Sequence, residues 1–286
     1  MTALPQSMSP DGLAFGPRRK SFDLESALAG DWHGGSAFVT AWFNAMSMLF
    51  PLGEKFFIDS VRHYIDDIDD PKLLDEIAAF QAQEATHRRQ HQRYNELLCK
   101  LRGYDLERIE RPERERIAWA YRELSARRRL AGTTASEHLT AILANEMLTR
   151  PEPMAGADPA VAELWMWHGI EETEHKAVAF DVHVAVGGTV GERRRALILN
   201  TFFFLKDTMR NLCIMLQQAG KLWSLREWAS GFHYLFVRPG VLRRISIPWL
   251  RFLRKDFHPW QHDNRYLIDD WQRRVDAEAS SPVQTH

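Results

Sequence analysis

The 286-residue sequence has few cysteines, no excess of charge of one sign and no long apolar run. Its two cysteines, Cys99 and Cys213, both lie inside helical patterns. This argues against a disulfide framework and favours a reducing, cytoplasmic compartment. The formal net charge of -1 argues against nucleic acid as a partner, because a phosphate binder normally carries a basic stripe or a basic excess.

The chain lacks an uninterrupted apolar stretch of the roughly 20 residues that a membrane-spanning helix needs. Its best candidate, residues 196–216, is broken by Lys206, Asp207 and Arg210. Peripheral contact of the aromatic-rich C-terminal helices with a membrane is still an expectation, and so is formation of an oligomer. Residues 1–20 have no apolar segment ahead of a cleavage site, which is typical of a tail rather than a signal peptide.

The periodicity of the apolar residues is helical and indicates an all-α protein, with a ferritin-like four-helix bundle as the expected architecture. We expect residues 1–30 to form a flexible N-terminal tail and residues 31–188 to form the bundle. Residues 189–276 are expected to form a C-terminal helical extension, rich in aromatic residues, that packs on the bundle. Residues 277–286 are expected to form a second flexible tail.

Local signals place several helix ends. An aspartate followed by proline predicts a helix start at Pro71 and another at Pro159, and Gly103 predicts the end of the helix that begins at Pro71. Pro112 is expected to open a further helical segment, and Gly132 with the two threonines after it is expected to interrupt that segment.

Two Glu-x-x-His pairs, Glu84 with His87 and Glu172 with His175, lie on otherwise apolar stripes of two of these helices. Spacing of three residues puts both side chains of a pair on one helix face. Burial of an ionised carboxylate among apolar residues is costly unless the carboxylate is paired or binds a metal. The two pairs therefore indicate a metal site rather than solvated charge.

Two single glutamates extend this pattern. Glu54 shares a helix face with Phe57 and Ile58, and Glu137 lies among small residues that leave space for a metal, dioxygen or a substrate. Taken alone, Glu54 could be a first-turn residue favoured by the helix dipole, and Glu137 an ordinary surface residue. The adjacent His138 points away by about 100° and is expected either to support a ligand from behind or to be structural.

The helix with the second pair contains competing residues. Glu171 rivals Glu172 as a ligand because it also lies within reach of His175, whereas Glu174 is expected to be exposed. Antiparallel pairing of the two Glu-x-x-His helices would bring His91 and His168 to the same end of the bundle. These two histidines are candidates for an extra ligand, for a partner that fixes a ligand's tautomer, or for a catalytic proton carrier.

In chain order the candidate metal ligands are Glu54, Glu84, His87, Glu137, Glu172 and His175. One glutamate from each of two helices and a Glu-x-x-His pair from each of two others is the set with which ferritin-like bundles hold two metal ions. The oxygen-rich set favours iron, with manganese or zinc as alternatives.

Several segments, including FNAMSMLFPLGEKFF, FQAQEATHRRQH, WMWHGIEETEHKAVAFDV and DFHPW, resemble the bacterial family of predicted metal-dependent hydrolases. The resemblance covers most of the chain, from about Asp31 to Trp271, and implies a hydrolase.

The residues leave three functions open. The ligand set favours a di-iron enzyme that uses dioxygen to oxidise a small apolar or acyl-chain substrate. The first alternative is hydrolysis by a metal-activated water, with His91 or His168 moving protons. The second is a non-enzymatic metal-binding bundle, which would not need the aromatic C-terminal layer.

Overall fold

The computed structural model describes residues 7–280, with side chains through residue 277. This part of the chain is helical and contains no strand, only an isolated bridge between His33 and Ala157. The prediction of an all-α protein is therefore confirmed. No helix within residues 7–280 is both long and apolar enough to cross a membrane.

The α-helices follow in chain order. The first six are α1 (Glu25–Leu28), α2 (Ala37–Ser47), α3 (Phe50–Arg62), α4 (Pro71–Arg102), α5 (Leu106–Glu123) and α6 (Ala126–Thr149). The next six are α7 (Pro159–His175), α8 (Val178–Ala185), α9 (Val190–Gln218), α10 (Leu225–Phe232), α11 (Val241–Arg251) and α12 (Arg265–Ser280). A π-helical turn, His233–Val237, joins α10 to α11.

Four of these helices surround the candidate site. Helix α3 packs against α4 and α6, and α7 packs against the same two helices, so that the four close into a ring. Their facing sides combine apolar residues such as Phe80, Ile77 and Val61 with the charged groups described below. The glutamates and histidines thus lie inside the protein because each occupies the inward stripe of its helix.

Both aspartate-proline starts are confirmed. Asp70 caps α4 by accepting a hydrogen bond from Lys72 N, and Asp158 caps α7 by accepting from Ala160 N. Gly103 ends α4 with a φ of 72°, a left-handed conformation that glycine adopts without strain.

Two other expectations about helix ends are wrong. Helix α6 runs through Gly132 without interruption, and Pro112 lies inside α5 rather than at its start. Pro112 cannot donate to the carbonyl of Arg108, four residues earlier. Arg210 of α9 donates to that carbonyl instead, at 2.9 Å, which allows the helix to continue.

Residues 7–30, expected to be a flexible tail, lie against α4, α7 and α8. Ser7 Oγ donates to Glu76 of α4 at 2.9 Å, and the Met8 amide donates to Asp181 of α8 at 3.0 Å. Further along, Leu24 and Leu28 are buried in the main apolar cluster. Residues 1–6 and 281–286 of the two expected tails lie outside the described residues, and α12 continues to Ser280.

The C-terminal helices cover one side of the ring. Helix α9 packs against α2 and α6, and α11 packs against α6. Some aromatic residues of this region are buried, as Phe252 is, but others are exposed, and Trp223 exposes 89% of its surface. Membrane contact through these exposed residues stays a prediction.

Candidate metal centre

The ring of α3, α4, α6 and α7 brings all six predicted ligands together in its interior. Each is buried, and each belongs to a group of three residues whose candidate ligand atoms lie within 4.8 Å of one another; the group of Glu172 consists of His87, His168 and Glu172. Glu84 belongs to two such groups, one with Glu54 and His87 and the other with Glu137 and His175. Glu84 is therefore the carboxylate that these two groups have in common.

The distances between these groups suit neighbouring ligands of one ion. His175 Nε2 lies 3.2 Å from Glu84 Oε1 and 3.4 Å from Glu137 Oε2. His87 Nδ1 lies 3.5 Å from Glu84 Oε1 and 3.6 Å from Glu172 Oε1. Two ligands at right angles on an ion, each about 2.1 Å away, are about 3 Å apart.

The inward atoms of the six residues lack hydrogen-bond partners. Among the described residues this holds for both oxygens of Glu54, Glu84 and Glu137, and for Glu172 Oε2, His87 Nδ1 and His175 Nε2. Buried polar atoms are normally satisfied, and so many that face one another require a common partner. Since carboxylate oxygens and bare imidazole nitrogens are electron donors, a metal cation fits this role.

The outer nitrogens of both ligand histidines are hydrogen-bonded. His87 Nε2 lies 3.0 Å from Glu171 Oε2, and His175 Nδ1 lies 2.9 Å from Gln83 Oε1. Hydrogen bonds of this type fix the ring and leave the opposite nitrogen free to bind a metal. They assign Nδ1 of His87 and Nε2 of His175 as the inward nitrogens.

A residue of the N-terminal segment holds these outer partners. The Arg18 amide donates to Glu171 Oε1 at 2.9 Å, and the Arg18 guanidinium makes a bidentate pair with Glu174, one of whose bonds measures 2.8 Å. Glu174 Oε2 also accepts from Gln83 Nε2 at 2.7 Å. The expectation that Glu174 is exposed is wrong: it is 1% exposed, because Arg18 covers and neutralises it.

The geometry also separates Glu171 from Glu172. Glu172 is among the grouped residues at the centre, whereas Glu171 bonds to the outer side of His87 and to Arg18. Glu172 is therefore the better placed ligand.

The carboxylates divide into two kinds by acidity. Burial, together with the neighbouring charge of Glu84, raises the pKa of Glu54 well above its usual value, and burial with Glu172 does the same for Glu137. For Glu84 and Glu172 burial acts in the same direction, but the nearby imidazoles outweigh it and lower the pKa. Burial thus favours the protonated form of Glu54 and Glu137, whereas the imidazoles favour the ionised form of Glu84 and Glu172.

The two ligand histidines respond in the opposite sense. Burial opposes their charged form, but Glu171 and Glu84 raise the pKa of His87 to about 10. Glu172 and Glu84 likewise raise the pKa of His175 well above its usual value. A cation entering the centre must displace these protons.

His91 and His168 lie together, as their expected placement at one end of the bundle requires. His91 Nε2 is 2.8 Å from His168 Nδ1, and His168 Nε2 is 2.9 Å from Glu172 Oε1. On the far side of His91, its Nδ1 is 2.9 Å from Ser47 Oγ. His138, expected to support a ligand from behind or to be structural, stacks on Phe252, and its Nε2 lies 3.2 Å from the carbonyl of Pro248.

A cavity of about 580 Å³ adjoins the centre, and Glu54, His168 and Glu172 form part of its wall. Most of its other lining is apolar and comes from α2, α3, α5, α6 and α9. Trp119 and Leu199 also line it and are each 48% exposed, so the cavity reaches the surface between α5 and α9. A small apolar molecule could therefore reach the metal centre through this opening.

One acidic residue of the cavity, Glu113, is not among the site residues predicted from the sequence. Glu113 of α5 is buried, and its Oε1 lies 3.8 Å from Arg116. Burial raises the pKa of Glu113 well above its usual value, which favours its protonated form. It offers a hydrogen-bond donor to a bound molecule.

Sequence reasoning missed Arg18, Gln83 and Glu113. Arg18 lies in a short basic run of the presumed tail, where no periodicity marks it as buried. The signal available was on α7: two further glutamates, Glu171 and Glu174, in an apolar helix require a cation. The sequence does not say which of the chain's 37 lysines and arginines supplies it.

The family model described as predicted metal-dependent hydrolase matches residues 16–263. This span includes every predicted ligand and Arg18 as well, and the chain belongs to this family. No curated protein and no solved structure matches the chain.

Proposed function

We propose that this member of the predicted metal-dependent hydrolase family is a two-metal hydrolase for a small substrate whose apolar part occupies the cavity. One observation carries the proposal. Nine buried oxygen and nitrogen atoms lie beside an apolar cavity and have no hydrogen-bond partner among the described residues; they belong to four glutamates and two histidines. The family to which the chain belongs supports hydrolysis as the reaction.

Charge supports two ions. The four carboxylates of Glu54, Glu84, Glu137 and Glu172 together carry four negative charges when ionised, and two divalent cations neutralise them while the histidines stay neutral. A buried site that is balanced in this way avoids the cost of uncompensated charge. Iron is the first candidate from the oxygen-rich donor set, and manganese or zinc would also fit.

When bound, the ions supply Lewis acidity, which lowers the pKa of water and polarises a carbonyl or phosphoryl oxygen. The protein's own groups bind and orient the substrate. The apolar cavity wall holds its hydrocarbon part and excludes bulk water, and Glu113 donates a hydrogen bond to a polar group.

The two further histidines differ in this proposal. His168 lines the cavity, whereas His91 is fully buried behind it and bonds to His168 and Ser47. His91 is therefore a positioning residue that acts through His168.

The second candidate is dioxygen-dependent oxidation of an apolar substrate by a di-iron centre. The observation in its favour is the donor set: Glu54 and Glu137 come from two helices, and a Glu-x-x-His pair comes from each of two others. Dimetal carboxylate bundles use this arrangement. The apolar cavity is compatible with both reactions.

Metal analysis of protein purified without oxygen tests the common part of both candidates. We expect close to two ions per chain, and a content below one would contradict a two-metal centre. Protein loaded separately with zinc, manganese and ferrous iron is then assayed against carboxylic ester, amide and phosphoester panels, with oxygen consumption recorded in parallel.

Hydrolysis by the zinc or manganese form without oxygen uptake is the expected result. Oxygen uptake by the ferrous form with no hydrolysis in any panel would support oxidation instead. Protein with two bound ions that does neither, although the panels include apolar substrates small enough for the cavity, would favour the metal-binding bundle.

A further inference from the structure

We infer that His168 is a third histidine ligand of the metal centre, held in the required tautomer by a directed chain of hydrogen bonds through His91, Ser47 and Asn95. The inference rests on the proposed two-metal function and adds a ligand to it. It assigns His168 to metal binding rather than to proton transfer.

The direction of the chain is set at Asn95. Its Nδ2 donates to the backbone carbonyl of Ser47 at 2.9 Å, which fixes the orientation of the amide and turns Oδ1 towards the hydroxyl. Ser47 Oγ lies 2.7 Å from Asn95 Oδ1 and donates to it. A hydroxyl has one hydrogen, so Ser47 Oγ has none left to donate to His91.

The position of the ring hydrogen on His91 and on His168 follows from this. Because Ser47 Oγ must accept, His91 Nδ1 carries the hydrogen across their 2.9 Å contact. Neutral His91 then has a bare Nε2, which accepts from His168 Nδ1 at 2.8 Å. Neutral His168 consequently has a bare Nε2.

The bare Nε2 of His168 faces a carboxylate oxygen of Glu172, which is also a hydrogen-bond acceptor. His168 Nε2 lies 2.9 Å from Glu172 Oε1, and two lone pairs at this distance repel each other unless a proton or a cation joins them. His87, His168 and Glu172 each place a candidate ligand atom within 4.8 Å of the other two. A metal ion bound by all three removes the repulsion, and about 3 Å is the expected separation of adjacent ligands.

If the hydrogen bond between the two histidines instead ran from His91 Nε2 to His168 Nδ1, His91 would have to be positively charged. Its two nitrogens would then donate to Ser47 and to His168, neither of which carries negative charge. The ring is fully buried and packs edge-on against Phe50 and Trp165. Glu54 places a carboxylate oxygen within 4.8 Å of a ring nitrogen of His91, but no hydrogen bond or close ion pair joins them among the described residues. Burial of an imidazolium in this position would therefore be poorly compensated.

Proton NMR of the cobalt(II)-loaded protein tests the assignment, because the ring N–H of a histidine bound to cobalt is strongly shifted and disappears in D2O. We expect three such signals, from Nε2–H of His87, Nδ1–H of His175 and Nδ1–H of His168. Two signals with cobalt bound would overturn the inference and leave the proposed function standing. Failure to bind cobalt, zinc, manganese or iron at all would overturn both.

Two variants identify the third signal. His168→Ala should remove it and keep the other two. Asn95→Leu frees the Ser47 hydroxyl to donate to His91, which reverses the chain and puts a hydrogen on His168 Nε2. We expect this variant to lose the third signal and to bind metal about 10- to 100-fold more weakly.

Asn211→Leu is the matched control, because Asn211 is an equally buried asparagine of α9 that takes no part in the hydrogen-bond chain from Asn95 to His168. It should retain three signals. Persistence of the third signal in both His168→Ala and Asn95→Leu would contradict the assignment. If the variants do not fold, the count of signals in the unmodified protein decides.

Discussion

The metal centre is bounded on two sides by different chemistry. On the side of α4 and α7, which we term the sealed side, Arg18, Gln83, Glu171 and Glu174 bond to one another and to the ligand histidines. On the side of α3 and α6, the open side, the centre adjoins an apolar cavity that reaches the surface. Polar groups fix the candidate ligands on one side, and apolar groups line an accessible cavity on the other.

Each of the two sides meets a different requirement of a metalloenzyme. Ligands must be held in one tautomer and orientation, which directed hydrogen bonds accomplish. A substrate must approach the ions in surroundings with little water, which an apolar wall provides. The comparison therefore predicts that changes on the sealed side alter metal affinity, and that changes on the open side alter binding of small molecules.

Removal of a shared ligand should have the largest effect. Glu84→Ala takes away the carboxylate that belongs to two ligand groups, and His175→Ala leaves three buried carboxylates facing one another without a cation. We expect each variant to hold fewer than one ion per chain after dialysis, measured by elemental analysis. Glu96→Gln, on the exposed face of α4, is the control and should retain both ions. Retention of two ions by Glu84→Ala would remove the basis of the proposed centre.

Metal affinity should depend steeply on pH. The pKa of His87 is raised to about 10 in the metal-free protein, so the ring is protonated at pH 7 and a metal ion must displace that proton. Affinity should therefore rise as pH rises towards 10 and fall as pH is lowered. The change is about tenfold per pH unit for each proton displaced.

Competition with a chelator of known affinity, between pH 6 and pH 9, measures this slope. The chelator's own protonation is corrected at each pH. A flat profile would show that His87 is not a ligand or that its proton is absent. In His87→Ala, any residual metal binding should show a smaller slope.

Disruption of the sealed side should have a smaller effect than loss of a ligand. Arg18→Ala leaves Glu174 buried without its guanidinium partner and loosens the groups behind His87 and His175. We expect metal affinity about 10- to 100-fold weaker, as for other partners behind ligand histidines. Chelator competition at fixed pH measures it, and Arg19→Ala, at an exposed neighbour, should have no effect. Unchanged affinity in Arg18→Ala would mean that the sealed side does not position the ligands.

The fold brings together the residues that the sequence indicated for the inner part of this centre, whereas several of the residues around them were not predicted. Glu84, His87, Glu172 and His175 were recognisable because helical spacing places them on apolar stripes, and spacing is a local property. The expected helix start at Pro112 was wrong because Arg210, which donates to the carbonyl that Pro112 leaves without a donor, lies about a hundred residues away in the sequence. Arg18 was missed for the same reason: its partners Glu171 and Glu174 are in another helix, and only the fold brings them together.

The smallest effect should come from the open side. Thr140→Phe places an aromatic ring in the cavity, one turn of α6 from Glu137, without removing a proposed ligand. It should leave the metal content at two ions per chain and weaken binding of the apolar fluorescent probe anilinonaphthalene sulfonate about threefold to tenfold, since the ring occupies space that the probe needs. Thr149→Phe, at the exposed end of the same helix, adds the same ring outside the cavity and should not weaken probe binding. If Thr140→Phe instead released metal while probe binding stayed unchanged, the division between a positioning side and a substrate side would be wrong, because the cavity wall would then be supporting the ligands.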